Sequence, residues 1–239
     1  MTAFRIEGWQ AWAPGLTDAA AWQAWVAAPR AVADDGTLQP DCAFLPPLQR
    51  RRLSRMARMV FNTAWPLCAA GEELPFVFGS HYGETTRIWQ LLGNIAAGEP
   101  LSPTAFGLSV HNAIAGQWSI LRGQHGESTA IAGATDTFEH AVLEGVLQLA
   151  AGAPAALVVV AEELPPAAYA PWVRDVPFSH ALALRLGHGD DWRLELSHRA
   201  EEPPCAWPHA LDFLRAMLQA QTGIHHACEG RRWTWLRTH

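Results

Sequence analysis

The chain contains no lysine: all 17 basic side chains among its 239 residues are arginine. Cysteine is scarce as well, with four residues, Cys42, Cys68, Cys205 and Cys228, scattered and without a C-x-x-C pair. That spacing excludes a disulfide framework and leaves four reduced thiols as the expectation. Long apolar runs are missing too. The longest, Leu147 to Ala161, is interrupted by Gly152 and Pro154 and falls short of the roughly 18 to 20 residues a membrane helix needs, so it belongs to a core. Positive charge is in the minority, and a net charge of −6 with a pI near 6.0 excludes a general nucleic-acid binder, whose affinity comes from a clustered positive field. The opening MTAFRIEGWQAW has neither the basic start nor the apolar core of a signal peptide, which gives a cytoplasmic location as the expectation. No G-x-S-x-G elbow is present, which removes the usual signature of a serine hydrolase.

With 49% hydrophobic and 17% charged residues, the chain can bury one substantial core, and a single domain over residues 1–239 is expected. Phe4 to Trp12 reads as an opening strand, and 16–40 as a short Ala/Trp helix followed by a DDG turn and loop. Leu53, Met56, Val60 and Ala64 recur at helical spacing after Pro46-Pro47, which predicts an amphipathic helix with Arg51, Arg52, Arg55 and Arg58 on its other faces. Phe76 to Phe78 is a short buried strand running into Gly79-Ser80-His81-Tyr82-Gly83. Neighbouring side chains at a strand end point apart, so Ser80 and His81 read as a glycine turn and not as a hydrolase pair.

Residues 126–163, GESTAIAGATDTFEHAVLEGVLQLAAGAPAALVVVAEE, carry the most information. Thr129 to Ala132 favours extended backbone, Gly133-Ala134 a close approach, and Thr137 to Ala151 a helix that Gly152 ends. Leu157 to Val160 is continuously apolar, as in a strand buried on both faces of a parallel sheet. The unit is β-α-β. Further on, Ala181 to Leu186 and Trp192 to Leu196 flank Gly187 to Asp191 and predict an antiparallel hairpin. Pro208 introduces a helix from about His209 to Thr222 that Gly223 ends. His225, His226 and Cys228 sit close in sequence, but zinc usually takes four ligands with paired spacings, so packing roles are expected and no metal.

Residues 126–163 resemble the nucleophile segment of β-ketoacyl synthases of the thiolase superfamily, with Gly126, Ser128, Ala132, Ala134, Gly152 and Glu163 at matching places and Thr135 where the cysteine would stand. Leu53-Ser54-Arg55, PFVFGSHYGET and SPTAFGLSVHNAIAGQWSI, with His111 and Asn112 before a helix, extend the likeness over residues 1–198; 199–239 read as an extension with a helix. The resemblance implies an α/β fold that is half of a thiolase-like fold, a mixed, mostly parallel sheet with helices packed on it. It is strongest with the short chain-length factors found beside true ketosynthases in aryl polyene and related polyketide pathways.

Two departures set the functional expectation. Acyl transfer needs a thiolate, whereas a threonine hydroxyl needs a dedicated base, and Thr135 has none in evidence. Ketosynthases also carry two catalytic histidines, accompanied by a lysine, in a second half-repeat, and no counterpart precedes His239. The resemblance therefore implies a non-catalytic subunit, without cofactor, that pairs with a full-length ketosynthase and an acyl carrier protein. Its implied sites are an interface strand, Thr129, Ala130, Ile131 and Ala132, and Phe138 as a limit on the acyl tunnel, with plain core packing as the competing reading. Arg51, Arg52, Arg55 and Arg58 are candidates for docking the acidic carrier, against a solvated face or internal salt bridges. The alternatives are a stand-alone acyl-thioester hydrolase or acyltransferase, and a carrier-binding scaffold.

Overall fold

The structure, a computed structural model, describes residues 2–198 and 205–238. In chain order its main elements are β1 (Thr2–Trp12), α1 (Ala19–Ala27), α2 (Pro47–Arg50), α3 (Arg55–Ala64), β2 (Phe76–Gly79), α4 (Thr85–Ala96), α5 (Pro103–Gly107), α6 (Ala113–Arg122), β3 (Ser128–Ile131), α7 (Thr137–Ala150), β4 (Ala155–Glu162), β5 (His180–His198), α8 (His209–Leu218), β6 (Gly223–Cys228) and β7 (Arg231–Arg237).

The apolar run after Pro154 becomes β4, with every residue buried. Because side chains alternate across a strand, Val158 and Val160 enter one core with Phe138, Val142, Val146 and Leu184. Leu157 and Val159 enter the other, with Met56, Met59, Val60 and Trp118. Helix α7 thus covers one face of the sheet and α3 and α6 the other. The sheet runs β3-β2-β4-β5-β7-β6, with β1 also paired to β5. Pairing is parallel only among β3, β2 and β4; the remaining pairs are antiparallel. The sheet is mixed, as expected, but less parallel than the sequence suggests.

Three expectations are corrected. The hairpin at Gly187 to Asp191 is absent: β5 runs through it as one strand of 19 residues. Neither Gly187 nor Gly189 has positive φ. A Cβ on Gly187 would collide with the Glu7 carboxylate, and one on Gly189 would lie 2.8 Å from Arg5 Cβ. These glycines admit side chains of β1 and do not make a turn. The helix expected directly after Pro46-Pro47 is divided into α2 and α3, because Ser54 turns extended and its hydroxyl accepts the Ala57 amide at 3.0 Å, an N-cap in mid-segment. The helix from His209 stops at Leu218, and Ala220 takes φ 54° before β6 begins. The aromatic tail, for which the sequence offered no element, is the outer hairpin β6–β7, and Trp233 and Trp235 are core residues.

All four cysteines are free thiols. Among the described residues no helix is long and apolar enough to cross a membrane.

Candidate site at the degenerate nucleophile turn

The turn between β3 and α7 is fixed by its own side chains. Thr137 Oγ1 accepts the Gly133 amide at 3.0 Å and donates back to the carbonyls of Gly133 and Ala134. Thr135 lies in the same turn and is exposed. Its hydroxyl lies 3.0 Å from Cys228 Sγ at the end of β6. Among the described residues no imidazole or carboxylate is its hydrogen-bond partner, so none is placed to act as its base.

Asp136, fully buried, ties the turn to β7. Its carboxylate accepts Arg231 Nε at 2.8 Å and Trp233 Nε1 at 2.9 Å. Burial opposes its ionisation, and the bonds from Arg231 and Trp233 outweigh that and hold the carboxyl below its ordinary range. One helical turn on, Glu139 is buried too and accepts His209 Nδ1 at 3.0 Å, His226 Nδ1 at 2.5 Å and Trp235 Nε1 at 3.4 Å. Burial again works against the anion, but the two imidazoles win and keep Glu139 far below the usual carboxylate range. His209 is pushed up to about 10, since the charge of Glu139 and the neighbouring Cys205 outweigh its desolvation. The segment 205–237 is therefore clamped over the first turns of α7 by two buried carboxylates.

Beneath the clamp lies a cavity of about 520 Å³, bordered by Thr135, Phe138, Cys205, Trp207 and His209 on one side and by His81, Tyr82, Glu162, Asp175 and His180 on the other. On that far wall Glu162 accepts Ser80 Oγ at 3.1 Å and the amides of His81 and Tyr82 at 2.5 and 3.3 Å. Burial pushes its carboxyl up to about 7 despite those donors. Tyr82 donates its hydroxyl to Asp175 at 2.6 Å, and His81 Nδ1 stands 3.5 Å from the same carboxylate. Ser80 and His81 thus point to different partners, as the strand geometry requires. His111 contributes Nε2 at 2.8 Å from the Ser80 carbonyl, a structural hydrogen bond; Asn112 precedes α6 without a side-chain cap bond.

The sequence-derived sites are only partly brought together. Thr129, Ala130 and Ile131 form β3, which pairs with β2 and, among the described residues, has no strand on its outer side; Ala132 follows, exposed. Phe138 is 3% exposed and packs in this chain's own core, its ring stacked on Trp235 and tilted against Phe213, as in the competing reading, and it also borders the cavity. The arginine cluster is also divided. Arg55 is spent on Asp34 at 2.6 Å and Ser179 at 2.6 Å, and Arg58 on the Arg50 carbonyl at 2.7 Å, whereas Arg51 and Arg52 remain exposed. Internal pairing removes Arg55 and Arg58 from the candidate docking surface. The abundance of tryptophan does not make a sticky surface either: Trp12, Trp22, Trp25, Trp118, Trp192, Trp233 and Trp235 are buried, while Trp89 and Trp172 are prominently exposed. Sequence reading passed over Glu139, Cys205 and His209, which come from distant segments and meet only once α8 and β6 fold over α7.

No curated protein sequence matches the chain. Among solved structures, a chain from the complex of the ketosynthase ApeO with its chain length factor ApeC from Xenorhabdus doucetiae superposes with a TM-score of 0.87, at 29% identity, over 99% of this chain and 100% of that one. The ishigamide ketosynthase/chain length factor superposes at 0.65 with 15% identity over 82% of this chain and 67% of that one. AntDE:AntF, a type II polyketide acyl-carrier protein in complex with its ketosynthase, gives 0.62 and 14% over 83% and 70%. These likenesses identify the mixed sheet and its helices as half of a thiolase-like fold. The family model of the beta-ketoacyl synthase N-terminal domain matches residues 22–236, so it includes α8 and the β6–β7 hairpin. The chain belongs to the beta-ketoacyl synthase N-terminal domain family.

Proposed function

We propose that this protein is a non-catalytic, chain-length-factor type subunit that completes a full-length ketosynthase in fatty acid or aryl polyene type polyketide synthesis. The observation that carries this reading is the state of Thr135: the family's nucleophile position holds a hydroxyl whose partner is a thiol, with no base beside it. The likeness to a chain of the ApeO–ApeC complex along the full length of both chains supports it.

The partner surface in this reading is the open edge of β3. Helices α6 and α7 both pack on that strand, and each presents an exposed apolar side chain, Ile120 at 81% and Leu147 at 51%. A strand with one open edge, beside helices that carry exposed apolar residues, suits pairing with another chain. With Phe138 enclosed in its own core, shaping of the partner's tunnel falls to β3 and the residues after it. Carrier docking rests on Arg51 and Arg52, and the protein acts in the cytoplasm.

The test is co-expression with the ketosynthase encoded nearest to it, affinity purification and the mass of the intact assembly. A stoichiometric heterocomplex, inactive when either chain is omitted, is the expected result. A lone chain that ignores the ketosynthase, or that turns over an acyl thioester by itself, overturns the reading.

A further inference from the structure

The wall of the cavity formed by α8 and β6 gathers donors that the proposed subunit role leaves without a task. His226 has both side-chain faces buried, at 0% exposure. Its Nδ1 is held by Glu139, but Nε2 has no hydrogen-bond partner. A buried nitrogen without an aligned hydrogen bond is costly unless something binds it. Nε2 points to Asp212, whose Oδ2 is 3.4 Å away while Oδ1 is taken by Arg215 at 2.9 Å. Cys205 completes the group: its sulfur, an Asp212 oxygen and a His226 nitrogen all lie within 4.8 Å of one another.

We propose that Cys205 Sγ, Asp212 Oδ2 and His226 Nε2 form a binding site for a zinc-class divalent cation. Bonds of about 2.0 Å to nitrogen and oxygen and 2.3 Å to sulfur set tetrahedral ligand atoms roughly 3.3–3.5 Å apart, so Nε2 and Oδ2 already stand at the required separation and the sulfur, within 4.8 Å of both, closes in on binding. Thiolate and imidazole select zinc over calcium or magnesium. The Glu139 carboxylate on the far nitrogen of His226 is the outer partner a metal-bound histidine ordinarily has, fixing its tautomer and orientation. Glu139, His209 and His226 also lie close together, but their donors already bond to one another, which makes them the support and not the site. Cys205 borders the cavity, so the fourth position opens to it and takes water or an incoming ligand. A cation there fastens the start of α8 and the end of β6 beside Thr135.

The test uses the full chain, stripped with a chelator and titrated with zinc chloride alone by calorimetry and non-denaturing mass spectrometry. One zinc per chain is expected, together with protection of Cys205 from a thiol reagent and a thiolate-to-metal charge-transfer band when cobalt replaces zinc. Cys205→Ser and Asp212→Asn, which keep side-chain size and are checked for folding by circular dichroism, are expected to weaken binding at least about tenfold. Glu139→Gln is expected to weaken it about 10–100-fold without removing a ligand. Failure of the wild-type chain to bind stoichiometrically, or binding unchanged in both Cys205→Ser and Asp212→Asn, overturns the proposal.

Discussion

Thr135 and Cys228 meet, hydroxyl to sulfur, at 3.0 Å across 93 positions of sequence. The residue at the nucleophile position is thus exposed on the border of the cavity with a thiol, and no base, as its partner. Thr135→Cys supplies a thiol but no base, so the lone variant is expected to show no condensation with acyl and malonyl carrier substrates. Detection of elongated product by mass spectrometry would sink the non-catalytic reading.

Phe138 stacks on Trp235 and meets Phe213. Truncation of a buried aromatic ring costs about 3–5 kcal/mol, so Phe138→Ala is expected to lower the midpoint of urea unfolding with little change in slope. Phe138→Leu keeps most of the volume and is expected to leave product length in the ketosynthase complex unchanged. A shift in product length with that variant would restore Phe138 as a ruler.

Ile120 and Leu147 are exposed on α6 and α7, the two helices that pack on β3. Ile120→Asp and Leu147→Asp, on exposed helix positions, are expected to change stability by no more than about 0.5 kcal/mol, yet to abolish co-purification with the ketosynthase when combined. Retention of the complex would move the interface elsewhere.

Stability should decline as pH rises through neutrality. Burial pushes Glu162 and Glu163 up to about 7 from 4.5, with Arg55 only partly offsetting the shift at Glu163. The folded chain then holds protons that the unfolded chain releases between 4.5 and 7, which corresponds to roughly 3 kcal/mol for each group by the linkage relation. His81, raised by its bond to Asp175, loses its contribution in the same direction. Asp34 and Asp175, both lowered from 3.8, act only below this window. Thermal melts of the chelator-treated protein are expected to peak on the acid side of pH 7 and to fall by pH 8; a rise across that interval would contradict the assignment.

Much of the sheet's centre was legible because its signals are local. The continuous apolar run of β4, the strand Phe76 to Phe78 and the helix after Thr135 each carry their own period and punctuation. The β5 error arose where a local signal had a distant cause: Gly187 and Gly189 read as turn residues, but they make room for Glu7 and Arg5 on a strand some 180 positions away. The site fared similarly. His226 and Cys228 stood out by proximity, while their actual partners, Glu139, Asp212 and Thr135, lie on other elements. No spacing rule connects residues that only a finished fold brings together. The arginines split for the same reason, since Arg55 finds Asp34 and Ser179 through tertiary packing.

The register of β1 on β5 also bears on how the chain is made. Thr2 pairs opposite Leu194 and Trp12 opposite Ala181, so β1 finds its partner about 170 to 190 positions further along the chain. Contacts of such sequence separation form slowly, and an unpaired apolar strand is open to wrong association in the interval. Strand β1 must wait until those intervening residues have been made, and its correct pairing in a cell should depend on whatever shields it until β5 emerges.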